Sequence, residues 1–191
     1  MPSPTSDVQA DAAIIRRVAE GDARACRQLV DELLPAIVGF SYRMLGDGGA
    51  AEDVAQEAFL RLWCQAPKWR AAARVTTWLY RVAHNLCIDR IRARRDVPVA
   101  DVPEVADPAD GPLIHRHRRE VSELVDAAIA GLPERQRVAI TLVHYQELGN
   151  LGAAAVMEIS VEALESLLAR GRRALRNTLS KQRRDLLGDL K

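Results

Sequence analysis

Aromatic side chains make up only 4% of this 191-residue chain, two Phe, three Trp and three Tyr. So thin a supply disfavours a sheet-rich fold, since strands draw heavily on aromatic and β-branched residues. Cysteine is equally scarce. Cys26, Cys64 and Cys87 are too few and too scattered for a disulfide framework, and a reducing, cytoplasmic location is the default expectation. No apolar run approaches the roughly 20 residues that cross a bilayer, so neither a signal peptide nor membrane insertion is expected. His84, His115, His117 and His144 show no His-Glu-x-x-His spacing, and no Cys-x-x-Cys pair accompanies them. Ordinary core cysteines and surface histidines are the better reading. A Gly-rich phosphate loop and a nucleophile–base pair are also missing, so no catalytic residue, metal or cofactor is expected.

What remains is rich in Ala, Leu, Arg and Glu, with 48% apolar residues, enough for a helical core. The net charge is only +1, but its distribution is uneven. Residues 61–95 carry nine Lys/Arg against one acid, and 169–184 carry seven basic residues and no acid. Acids outnumber bases eight to three over 18–60, and 96–112 holds five acids and no base. Two basic blocks set between acidic stretches suit a chain that meets a polyanion on some faces and protein on others. Solvated helix faces are the competing reading.

Residues 96–112 include Pro98, Pro103, Pro108 and Pro112, a composition that predicts an extended, flexible linker. It divides an N-terminal domain, 8–95, from a C-terminal one, 113–185. Met1 to Ser6 read as a frayed end. The N-terminal half predicts a short helix over Ile14, Ile15 and Val18, then one capped by Asp22. A separate helix follows with Pro35 in its first turn. Further helices are expected from Ala51 to Cys64 and, capped by Thr76 or Thr77, on to Arg95. On the last of these Leu79, Val82, Ala83 and Leu86 share a core side, and Trp78, Arg81, Asn85, Asp89 and Arg92 a polar one. The C-terminal half predicts helices over 113–130, from Pro133 to Glu147, from Leu151 to Met157, and from a Ser160 cap past Leu175. Short helix, tight Glu158-Ile159-Ser160 turn and longer helix make a helix-turn-helix outline. The expected fold is all-α, two small helical domains joined by a flexible, acidic, Pro-rich linker.

Two long motifs are distinctive. Ala51-Glu52-Asp53-Val54-Ala55-Gln56-Glu57-Ala58-Phe59-Leu60-Arg61-Leu62-Trp63 resembles region 2.2 of the sigma-70 family. Thr77-Trp78-Leu79-Tyr80-Arg81-Val82-Ala83-His84-Asn85-Leu86-Cys87-Ile88-Asp89-Arg90-Ile91-Arg92 resembles regions 2.3 and 2.4. Beyond the linker, Leu132-Pro133-Glu134-Arg135-Gln136-Arg137 and the run from Ile159 to Leu175 resemble region 4. Regions 2 and 4 alone, with a short connection, resemble the extracytoplasmic-function (ECF) group of bacterial sigma factors. The chain departs from that pattern at Ala153, Ala154 and Ala155, which replace a more polar helix. It departs again at Glu158, where the turn often holds Gly, and at Glu165, where a basic residue is common.

The resemblance implies that the 8–95 domain binds core RNA polymerase and melts the −10 element, and that 113–185 reads the −35 element. Asp53, Gln56 and Glu57 lie three and four apart on one helical face. By resemblance this face docks on the β′ coiled coil, the β subunit being a further contact. Trp78, Asn85, Asp89, Arg90 and Arg92 are the −10 candidates, because opened bases need stacking surfaces, edge contacts and cations. Core packing is the alternative for Trp78. Lys68, Trp69 and Arg70 fall where the family captures a flipped base, although Arg74-Val75-Thr76 matches that loop poorly. On the last helix, Glu162, Glu165, Ser166, Arg170 and Arg173 are the −35 candidates, opposite an inward side of Val161, Leu164, Leu168, Gly171 and Leu175. An anti-sigma factor is the further implied partner. Two other readings stay open, a stand-alone helix-turn-helix regulator and a helical enzyme.

Overall fold

The structure is a computed structural model that describes residues 4–71, 73–96 and 124–188, and within these it is helical with no strand. Helix α1 (Pro4–Ala19) buries Ile15 and Val18 one turn apart and stops at Gly21, whose φ of +82° an L side chain rarely adopts. Asp22 then caps α2 (Ala23–Leu45), its carboxylate accepting from the Arg24 and Ala25 amides at 2.8 and 3.2 Å. The Arg17 guanidinium at 2.8 Å, and after it these two amides, hold its carboxyl below the usual range.

Pro35 does not begin a new helix. It lies inside α2, which runs on to the left-handed Gly46. Proline has no amide hydrogen, so one helical bond is lost there. Ile37, Phe40 and Met44, all buried beyond it, hold the helix together through packing. Asp47 caps α3 (Gly48–Gln65) through the Ala50 amide at 2.9 Å. The buried side of α3 is Ala51, Val54, Ala55, Ala58, Phe59 and Leu62, and its alanines let α2 and α4 approach closely.

A short 3-10 turn (Ala66–Lys68) leads towards α4 (Val75–Asp96). Neither Thr76 nor Thr77 caps α4. The Val75 amide donates instead to Asp11 Oδ2 on α1 at 2.8 Å, and Arg74 Nε reaches the same oxygen at 3.3 Å. Val75, Leu79, Tyr80, Ala83 and Cys87 line the core side of α4. Burial pushes the Cys87 thiol up to about 12, so it is an inert core group.

The C-terminal body contains α5 over 124–130, α6 (Glu134–Ile140), α7 (Asn150–Met157) and α8 (Val161–Gly188). The expected helix from Pro133 to Glu147 is α6 followed by a π turn (Thr141–Tyr145), with Glu147 left-handed at φ 52°. Ser160 caps α8 as expected, its hydroxyl accepting from the Ala163 amide at 3.2 Å. Leu164 and Leu168 are buried, and α8 crosses α6 at Gly171, where an added Cβ would lie 2.9 Å from Ile140 Cγ1. Apart from Asp96, which ends α4, the 96–112 linker lies outside the described residues.

Candidate functional site

Three surfaces carry the candidate residues. On α3, Asp53, Gln56 and Glu57 share one face, and Asp53 is 66% exposed. Glu57 pairs with Arg61 at 2.7 Å, one helical turn on. Leu60 extends the face and is 57% exposed. Sequence reading missed Leu60, although its place three residues after Glu57 was the signal.

On α4, Asn85, Asp89 and Arg92 are exposed and line one wall of a cleft of about 420 Å³. His84 and Ile88 share that wall, and Glu134, Arg135, Val138 and Met157 form the other. Burial lowers the His84 pKa, with Glu134 raising it and Arg135 lowering it further. Its Nδ1 is enclosed without a hydrogen-bond partner. Trp78 is half-buried and packs edge-on against Trp69, with ring centroids 5.9 Å apart. The edge contact with Trp69 fixes one side of Trp78. Arg90 is set apart from the other −10 candidates. It turns to α3, donating to the Ala50 carbonyl at 2.6 Å and lying 3.6 Å from Asp53.

On α8, Glu162, Glu165, Ser166, Arg170 and Arg173 are all exposed, on the side away from Leu164, Leu168 and Gly171. Glu165 accepts a bond from Asn150 at 3.3 Å, so this acid also ties α7 to α8. The Glu162 backbone amide, and after it the Ser160 side chain, lower the pKa of Glu162 at the helix start. Glu158, in the turn before it, is left-handed at φ 54°. Asparagine, aspartate and glycine tolerate that geometry better than glutamate does.

Residues 29–97 match Sigma-70 region 2, and residues 122–175 match Sigma-70, region 4. The chain is 36% identical to the ECF RNA polymerase sigma factor SigW of Bacillus subtilis, covering 90% of this chain and 96% of that one. The chain belongs to the ECF sigma factors of the sigma-70 family. Identity to the RNA polymerase sigma-H factor of Pseudomonas aeruginosa is 33%, over 88% of this sigma factor and 93% of that one. Among solved structures, CnrH in complex with the cytosolic domain of CnrY superposes with a TM-score of 0.71 at 24% identity, over 90% of this chain and 98% of that chain. RpoE in complex with the anti-sigma factor NepR from Bartonella quintana gives 0.64 at 20% identity, over 81% and 96%. These two likenesses carry the fold. As a sigma factor the chain serves promoter selection and transcription initiation, within a family of non-catalytic RNA polymerase subunits. Among its described residues, no helix is long and apolar enough to cross a membrane.

Proposed function

We propose that this sigma factor works in the cytoplasm as two DNA-reading bodies on one polymerase. Residues 8–95 dock on the β′ coiled coil through Asp53, Gln56 and Glu57 and hold the opened −10 strand along α4. Residues 113–185 contact the β subunit and read the −35 element with α8, and 96–112 is the connection. Asn85, Asp89 and Arg92 stand ready for bases and phosphate, and Trp78 offers a ring face for stacking. Arg90 braces α4 against α3, so its contribution to the −10 site is positional. The protein itself performs no chemistry.

One observation carries this reading. The five polar side chains of α8 stand exposed together behind a capped N-terminus, with an apolar side packed on α6. That is the presentation a recognition helix needs in a major groove. Core polymerase combined with the chain should yield transcripts whose 5′ ends share an upstream −35/−10 motif pair. Transcripts identical to those of core alone would remove the reading.

Control by an anti-sigma factor is the second part of the proposal, because RpoE of Bartonella quintana, which shares this fold, is solved in complex with the anti-sigma factor NepR. Co-purification from unstressed host cells should recover a protein that competes with core polymerase. Finding every copy free or polymerase-bound would argue against sequestration.

A further inference from the structure

The backbone between α2 and α3 is permissive. Gly46, Gly48 and Gly49 surround Asp47, and Gly46 is left-handed at φ 67°. Three glycines so close together leave the direction of the first turn of α3 weakly set by the backbone alone. Asp47 supplies one constraint as the cap of that turn. The others come from α4. Arg94 donates through Nη1 to the Leu45 carbonyl at 3.3 Å and through Nη2 to Asp47 Oδ2 at 3.0 Å. Arg90 donates to the Ala50 carbonyl at 2.6 Å and lies 3.6 Å from the Asp53 carboxylate. The two guanidinium groups, one helical turn apart, hold the end of α2, the cap of α3 and its first two turns.

Both arginines belong to the basic block 61–95, whose charge reads as facing a polyanion. Their donors are committed to acceptors within the chain instead. Arg92, between them in sequence, lies on the opposite side of α4 by helical period and lines the cleft with Asn85 and Asp89. The acids that Arg90 and Arg94 reach are those at the start of the helix that carries Asp53, Gln56 and Glu57. Asp53 stays 66% exposed, so a partner can still meet it while Arg90 restrains it.

We infer that Arg90 and Arg94 are positioning residues for polymerase docking. From the helix assigned to the −10 strand they clasp the glycine-rich link and the start of α3, and so set the direction in which Asp53, Gln56 and Glu57 are presented. A surface offered at a fixed angle loses less freedom on binding than one carried by a loose link. Arg90 acts through Ala50 and Asp53, and Arg94 through Leu45 and Asp47. The inference rests on the reading of this α3 face as the dock for the β′ coiled coil.

Full-length variants titrated with core polymerase test it. Arg90→Ala with Arg94→Ala should weaken core binding by about three- to tenfold, the range open to a partly exposed charged hydrogen bond and a surface ion pair. Arg90→Lys should recover most of the Arg90→Ala loss, because it keeps a charged donor for the Ala50 carbonyl. In a double-mutant cycle on core affinity, Asp53→Ala should cost less in the Arg90→Ala background than in the parent. With core saturating, a promoter duplex carrying the −35/−10 pair should be bound with the parental salt slope. Parental core affinity with a slope lower by about one unit per arginine would make both phosphate contacts and overturn the inference. An additive cycle would show that Arg90 does not act through Asp53. Equal losses in core binding and in promoter complexes at saturating core would mean a loosened body rather than an aimed face, and would also overturn it. Where urea melts show an alanine variant unfolded, Arg90→Lys and Arg94→Gln carry the same comparison. Parental core affinity of Asp53→Arg with Glu57→Arg would remove the dock itself, a failure separate from that of the clasp.

Discussion

Replacing Asp11 should uncouple α1 from α4 at a definite cost. Its side chain is only 18% exposed and serves two donors, the Val75 amide at 2.8 Å and Arg74 Nε at 3.3 Å. Removing a capping acceptor costs about 0.5–2 kcal/mol. The Arg74 pair is partly exposed and adds about 0–1 kcal/mol after screening. Asp11→Ala should therefore destabilise the N-terminal body by about 0.5–3 kcal/mol. Asp11→Asn keeps an oxygen for the amide while giving up the charge, so it should lose less than about 1 kcal/mol. For a body of this size each 1 kcal/mol lowers Tm by roughly 4–8 °C, well within the reach of urea and thermal melts. Because Trp78 sits in the first turn of α4, its fluorescence should change before the global transition in Asp11→Ala. The comparison that decides is Thr77→Ala. If it destabilises as much as Asp11→Ala, or if Asp11→Ala leaves the midpoint unmoved, the long-range cap is not what holds the start of α4.

Other outcomes follow from the same geometry. Asp53→Arg with Glu57→Arg should leave the fold intact and weaken core polymerase binding, because attractive contacts become repulsive. Unchanged affinity in a titration would remove α3 from the interface. Arg173→Ala should weaken binding to all promoters alike and reduce the salt slope by about one unit, as loss of one phosphate contact does. Ser166 and Glu162 variants should instead shift preference at one or two −35 positions, by roughly 1–3 kcal/mol per lost base contact. A randomised −35 library measured at several salt concentrations separates the two classes, and parental preference in both variants would put α8 outside the groove. His84 supplies a pH test. Its folded pKa lies below its usual 6.5 because of burial, with Glu134 and Arg135 facing it from α6 and Asn85, Asp89 and Arg92 lining the same cleft on α4. The unfolded chain then binds more protons as pH falls through 6.5, so stability is lost below that value and kept above it. Urea midpoints should drop between pH 7.5 and 5.5, and His84→Gln should flatten the drop.

The features that local chemistry decides were legible in the sequence. Asp22 and Ser160 cap their helices because a short acceptor at the first unpaired amides works in almost any setting. The apolar stripe of α3 and the inward side of α8 follow from a period of 3.6 residues, and the exposed candidates of α8 from its complement. Where long-range contacts overrule local preference, the sequence misled. Pro35 is a good first-turn residue, yet Ile37, Phe40 and Met44 pack well enough to carry α2 through it. Thr76 and Thr77 have the right chemistry for a cap, but α4 starts ahead of them at Val75, whose amide Asp11 reaches from 64 residues away. Arg90 stands among the −10 candidates by side-chain type, yet it lies off the polar side of α4 and the Ala50 carbonyl claims it. The pairing of Arg81 with Glu158 has no local signature, since it joins α4 to the turn after α7.

The crossing at Gly171 gives α8 something close to a fulcrum. Nothing but backbone fits between α8 and Ile140 there, since a Cβ would come within 2.9 Å of a side chain that is itself only 2% exposed. Glu162 lies nine residues from that point, a lever arm of about 13 Å at roughly 1.5 Å per residue. A methyl group at position 171 would push on the short side of the pivot and tilt the N-terminal end of α8, with every exposed residue of that helix unchanged. If α8 reads the −35 element as proposed, promoter preference can drift through an inward position, and variants there would alter aim while leaving the chemical alphabet of α8 intact.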